Sequence, residues 1–492
     1  MKFLRFATVL AASTLALTAC GSSHSSDKDL NVSLPLKTKS IAPYETDVPV
    51  KIGAAESLFK TDKNGDIKKV LVKSYKQPNP NTLDIELKDN IKFQNGHKLT
   101  AEKVKNSLEN SINKSDLVKY SLPIKDISAK GQHLTITTKE AYPELVSELA
   151  NPFMAIYDTD AKTDVNKEPI GTGPYQIKDY KQSQKISLSK YDHYWQGQPK
   201  LNHITVTYQE DGNNRVRNLE SNKVDLITDV PVDKVKDIDH NSDLKTTKES
   251  GFRTSLLMYN QTSDKMTQNT RQALDKLIDR KGIAEHIYQG YAKPATGPFN
   301  DKLKFIKEPS LSSQDINEAK KLLAKEGYSA KHPLKIRLVT YDGRPELPKI
   351  AQVLQSDAKK ANVDIDIKKV DDIEGYLKDK SQWDATMYSF GTIPRGDTGY
   401  FFNQAYKKDG AINKGDYHND KVAALIDKLN TTVDKNERHQ ISNEIIKQST
   451  KDIPSSYIAY NDQIVAAHKN VKNYQVTPEG IYLIDYKTTK EK

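Results

Sequence analysis

Residues 334–368 constrain this chain more than any other stretch. Leu334 to Tyr341 reads LKIRLVTY; Ile350, Leu354 and Ala358 then recur every four residues; Val363-Asp364-Ile365-Asp366-Ile367 alternates again. A period of two, then one near 3.6, then two again spells strand, helix, strand. Asp342-Gly343 supplies the turn between the first strand and the helix. Two strands joined through a helix run parallel, and such a crossover is right-handed in nearly every known case. The chain is therefore α/β, with at least part of a sheet parallel and a helix laid over it.

The same two periods recur elsewhere. Thr82-Leu83-Asp84-Ile85-Glu86-Leu87, Leu134-Thr135-Ile136-Thr137 and Ile204-Thr205-Val206-Thr207-Tyr208 read as half-buried strands. Thr100 is placed to cap a helix whose Val104, Leu108 and Ile112 share one face. Ala273, Leu274, Leu277 and Ile278 form a second apolar stripe, and Ile316, Ala319, Leu322 and Leu323 a third, which Gly327 can close with a left-handed cap. With 492 residues and no repeat of fixed period, the chain exceeds what one hydrophobic core usually serves, so two lobes are expected.

The first residues have a different character. Lys2 and Arg5 precede an uncharged run from Phe6 to Ala19, which reads as a secretory leader too short to span a bilayer. The run ends in Leu17-Thr18-Ala19-Cys20, which resembles the lipobox of bacterial lipoproteins, so residues 1–19 are expected to be removed and Cys20 acylated. Cys20 is the chain's sole cysteine, which excludes an internal disulfide or thiolate cluster. Residues 20–30, mostly small and polar, read as a tether holding a lipid-anchored protein on the outer face of the cell membrane.

A net charge of +10 invites a nucleic-acid reading. However, the lysines are interspersed with acids rather than gathered on one face, so nucleic acid is not expected as a partner. Gly171-Thr172-Gly173-Pro174 lacks the Lys-Ser/Thr of a P-loop, and its proline is wrong for a helix start that faces phosphate. There is no GxSxG elbow, no spaced zinc motif and no prominent carboxylate pair, so an enzyme is not expected.

Several phrases recur in one family's order. They are Ile91-Lys92-Phe93-Gln94-Asn95-Gly96 with Leu99-Thr100-Ala101-Glu102-Lys103-Val104, then Pro169-Ile170-Gly171-Thr172-Gly173-Pro174-Tyr175, and Tyr194-Trp195-Gln196-Gly197. Arg271-Gln272-Ala273-Leu274, Ala295-Thr296-Gly297-Pro298 and Tyr417-His418-Asn419-Asp420-Lys421-Val422 follow. Together they resemble the oligopeptide, dipeptide and nickel-binding family of solute receptors of ABC importers. The resemblance implies a two-lobe periplasmic-binding-protein-like fold of the large class II type, with mixed sheets and a ligand cleft between lobes. Residues 31–250 with 465–492 would form lobe I and residues 251–464 lobe II. A monomer that hands its solute to permease and ATPase subunits is implied.

Within that family, Tyr341-Asp342-Gly343-Arg344-Pro345-Glu346-Leu347-Pro348 resembles the loop of receptors for nickel chelates. The resemblance implies nickel(II), with cobalt or another divalent ion as alternatives, held by a histidine-like chelator; the rival within the family is an oligopeptide. Arg344 stands where a strand gives way to a helix, and its guanidinium suits a carboxylate; its alternative is a surface ion pair with Glu346. Arg395 follows the strand Ala385 to Phe390 in a loop suited to the same task. Tyr388 and Phe390 on that strand complete the expected ligand set. His418 is the expected metal ligand, from a loop that lines the cleft in relatives. No catalytic cofactor is expected. Asn151-Pro152 replaces an Arg-Pro pair of the better-known Gram-negative nickel receptors, the Arg and Trp they carry near Tyr120-Ser121-Leu122 are missing, and Phe390 replaces a tryptophan, so the chelate or its pose should differ.

Overall fold

The structure, a computed structural model, describes residues 28–491 except 116–117, 120–121, 308 and 342–343. Cys20 and the leader, and the turn at Asp342-Gly343, thus lie outside the described residues.

The crossover read from the sequence is present. Leu334–Tyr341 pairs in parallel with Val363–Val370, from Leu334 opposite Val363 to Tyr341 opposite Val370. Helix Glu346–Lys359 buries Leu347, Ile350, Ala351, Leu354 and Ala358, the four-residue stripe that made it legible. These residues join Leu257, Leu274, Leu277, Leu323 and Met387 in the largest core. Two of the other expected helices form as Gln268–Lys276 and Ile316–Lys325, and Gly327 takes a φ of +84° just past the latter.

One eleven-stranded mixed sheet threads the molecule. Its order is Val363–Val370, Leu334–Tyr341, Ala385–Gly391, Leu244–Tyr259, Ser455–His468, Leu226–Thr228, Asp29–Leu34, His203–Tyr208, Lys185–Lys190, Tyr175–Lys181, with Ala292–Pro294 paired to Ser455–His468 off this path. The two long central strands tie its halves together. They pair antiparallel from Leu244 opposite His468 to Met258 opposite Ser455. A break in register follows Ser250 and ends at Arg253. Gly251 lies in that break, and a Cβ there would stand 2.4 Å from the Asn461 carbonyl oxygen, so no other residue fits without a backbone shift.

Beyond the break, Arg253–Tyr259 pairs with Ala385–Gly391, whereas on the near side Leu226–Thr228 pairs with Val465–Ala467. One continuous strand, Leu244–Tyr259, carries the crossing itself. A bulge lets it bend without losing its ladder.

A four-stranded antiparallel sheet, Val72–Asn79, Thr82–Leu87, His133–Thr138 and Ile124–Lys130, lies against helix Ala101–Lys114. The Thr100 side chain accepts the Lys103 amide at 3.3 Å, the expected cap. Near it, Gln94 donates to the carbonyls of Ala54, Gly173 and Tyr175, so the glycine-rich turn is held as scaffold. Among the described residues, no helix is long and apolar enough to cross a membrane.

Candidate functional site

The arginines separate structural from functional cations. Arg215 donates to four backbone carbonyls, and Arg271, from the Arg-Gln-Ala-Leu phrase, to those of Met266, Asp452 and Ile453. Arg280 pairs with Asp275, Arg337 with Asp384, Arg395 with Glu148, and Arg438 with Glu144 and Asp397. Arg217 lies on the surface against Asn214.

Two remain. Among the described residues the Arg344 side chain makes no hydrogen bond or ion pair, and the Arg253 guanidinium makes a single bond, Nη1 to the Ser389 carbonyl at 3.2 Å. Burial, and then Arg344, bring the Arg253 pKa down to about 10, while Glu346 and Asp229 oppose this from a distance without pairing. Two like charges kept together without a counter-ion destabilise the protein unless something anionic arrives.

The backbone explains how they meet. Arg253 is the first paired residue after the break between the halves, opposite Gly391 on one neighbour and Asn461 on the other. Arg344 follows the end of Leu334–Tyr341, at the strand-to-helix junction where open α/β sheets bind ligands. Tyr341 and Tyr388 form the adjoining wall with ring centroids 6.1 Å apart, and burial raises the pKa of both. The Tyr388 hydroxyl is fixed by Glu374. Glu346 takes a bond from the Asn461 amide at 3.3 Å and forms no ion pair with Arg344.

The other expected residues have different surroundings. Phe390 stacks at 6.3 Å on Tyr400, and the Arg395 guanidinium lies 4.9 Å from the Tyr400 ring centre. Arg395 also donates Nε and Nη2 to Glu148 at 3.0 and 2.6 Å. His418 is 59% exposed, with Nε2 2.9 Å from Asp420. Around it the phrase is structural: Asn419 caps helix Asp420–Leu429, and both Asn419 and Tyr417 bond Asp452. Trp383 is fully buried. His439 stacks on Phe305 at 3.7 Å. No group of three or more His, Cys, Asp or Glu able to hold a metal ion exists among the described residues.

Sequence reasoning missed Arg253. Its signal was a lone cation within Gly251 to Asn260, otherwise GF-TSLLMYN, a run too apolar to carry a charge without purpose.

A sheet crossing twice between halves, with cationic and aromatic groups gathered beside the crossing, is the architecture of a solute-binding protein that takes its ligand beside the crossing. The comparisons agree. Residues 66–413 match the model of bacterial extracellular solute-binding proteins, family 5, and the chain belongs to that family. It is 77% identical to the nickel-binding protein NikA of Staphylococcus aureus over 492 residues, all of both chains. The crystal structure of S. aureus NikA in complex with Ni(L-His)2 superposes with a TM-score of 0.81 at 79% identity, covering 94% of this chain and 100% of that one. The nickel ABC transporter structure from Bacillus halodurans gives 0.85 at 32%, with the same coverage.

Proposed function

We propose that this chain is the substrate-binding component of an ABC importer, capturing nickel(II) as a preformed complex with a small carboxylate-bearing chelator such as histidine and delivering it to permease and ATPase subunits. The observation that carries this reading is the Arg253–Arg344 pair, two guanidiniums without carboxylate partners among the described residues, beside a wall of tyrosines. A chelator's carboxylates would supply the missing negative charge through paired N–H···O bonds. Nickel(II) takes four to six nitrogen and oxygen donors, which no described cluster offers, so the chelator must bring most of them. That S. aureus NikA was crystallised with Ni(L-His)2 supports the same class of ligand.

Lobe I is read as residues 31–250 plus 465–492 and lobe II as 251–464, with the register break after Ser250 supporting the first boundary. Arg344 and Tyr388 belong with Arg253 in the grip on the chelate. Arg395 and Phe390 would act through Tyr400 at the mouth, and His418 would reach a metal only by leaving Asp420. Cys20 would anchor the receptor by its lipid.

Calorimetric titration with nickel(II) sulfate alone, with nickel plus L-histidine, and with a di- to pentapeptide mixture tests the reading. Binding is expected only for nickel plus histidine, and should weaken below about pH 6 as chelator imidazoles protonate. Tight binding of bare nickel would overturn the chelate reading, and binding of peptides alone would transfer the arginines to a peptide carboxylate. Unchanged chelate binding by His418→Ala would remove that residue from the site.

A further inference from the structure

Far from the arginine pair in sequence and partners, a second charged group lies where the lobes touch. From one side come Glu144 and Glu148, at the start and end of the short helix Leu145–Glu148, and Glu479 from the C-terminal segment. From the other come Arg395, Asp397 and Arg438. Arg438 Nη2 lies 2.6 Å from Glu144 and 3.0 Å from both Asp397 oxygens. Arg395 holds Glu148 at 2.6 Å by Nη2 and Glu479 at 2.9 Å by its backbone amide. The side chains are nearly dry: Glu148 is 4% exposed, Glu144 7% and Asp397 21%.

The charges do not balance. Four carboxylates face two guanidiniums, and Glu148 Oε2 is buried with no hydrogen-bond partner. Other charges stand at the margin: Lys435 is 3.7 Å from Asp66, and His439 neighbours Arg438. Contact here is close, since a Cβ on Gly396 would lie 2.0 Å from the Gly65 carbonyl oxygen across the seam. Separating the lobes would return all four carboxylates to water, where each ionises freely. Bringing them together in a dry seam favours a neutral form of at least one.

We propose that closing the cleft takes up a proton at this seam, so that acid favours the closed receptor and a rise in pH favours the open one. The direction of titration agrees with the geometry. Burial, and then Asp397, push Glu144 up to about 7, and burial raises Glu148 and Glu479. Tyr142 beside them is raised further still and stays neutral. Arg395 and Arg438 remain charged; burial opposes this, but Glu148 and Asp397 respectively more than offset it.

The sign follows from these shifts. A carboxyl that titrates near the ordinary 4.5 when open and about 7 when closed binds an extra proton in the closed form between those values. The closing equilibrium then falls about tenfold per pH unit inside that window, or about twentyfold from pH 5.5 to 7.5, and levels off above it. Protonation of chelator imidazoles acts in the opposite direction on ligand binding, so the seam and the ligand are separable.

Two measurements on the full receptor test this. Inter-lobe FRET without ligand should show closure rising about twentyfold from pH 7.5 to 5.5, flattened in Glu144→Gln and retained in His439→Gln. Asp397→Asn, which removes the like charge facing Glu144, should move the midpoint down and serves if Glu144→Gln does not fold. Calorimetry with nickel(II) sulfate plus L-histidine at pH 6.5, in two buffers of different ionisation enthalpy, should show the wild type taking up about three-quarters of a proton more than Glu144→Gln. A pH-independent FRET signal, a slope unchanged by both carboxylate variants, or one abolished by His439→Gln would overturn the proposal. Failure of nickel-histidine to bind would count against the ligand reading alone, because the FRET measurement needs no ligand.

Discussion

Replacing Arg253 by methionine should stabilise the empty receptor while removing its affinity for the chelate. Holding this guanidinium charged with its pKa brought from 12.5 to about 10 costs the fold about 3 kcal/mol, at about 1.4 kcal/mol for each tenfold change in proton affinity. A cation with a lowered pKa carries that penalty at every pH below the lowered value, so it is constant from pH 5 to 9. Methionine keeps most of the apolar stem but forfeits the bond to the Ser389 carbonyl, worth about 1 kcal/mol. The net gain is about 2 kcal/mol, read as a higher urea midpoint at unchanged slope. Arg344→Met should give a smaller gain. The double variant should gain less than the two singles together, because their mutual repulsion is relieved only once, with a coupling of about 0.5–3 kcal/mol. Chelate affinity should fall at least thirtyfold in Arg253→Met, about 2 kcal/mol. Destabilisation of the empty Arg253→Met protein with chelate binding intact would refute the reasoning, as would strict additivity of the cycle.

Arg344→Lys keeps the charge but not the fork, and calorimetry should show nickel-histidine binding weakened by about 1.5–3 kcal/mol; equal affinity would return Arg344 to the surface. Gly396→Ala, at a φ of +74° with the Gly65 carbonyl oxygen 2.0 Å from the new Cβ, should hold the lobes apart, lowering closure in inter-lobe FRET without unfolding either lobe; unaltered closure would show that the seam is not so tight. Cys20→Ala should release the receptor from the membrane fraction into the medium, and retention at the wild-type level would end the anchor reading.

Much of the scaffold was legible because it is written in short-range periods. The parallel crossover at 334–370, the Thr100 cap and the left-handed Gly327 each depend on residues within a few positions of one another, so the sequence carries their cause locally. Arg344 was put forward from a family phrase and a strand end and Tyr388 from the neighbouring strand, and the structure sets them beside Arg253 and Tyr341. What local pattern could not settle was which charges are compensated. His418 sits in a family phrase, yet its neighbours turned out to be a cap and a surface acid. Arg395 reads as a free loop cation until Glu148, 247 residues away, is folded against it; Arg438 meets Glu144 across 294 residues. Periodicity and capping are decided by neighbours along the chain, and those the sequence determined; the balance of charge in a dry interior is decided by neighbours through space, and only the tertiary structure chose them.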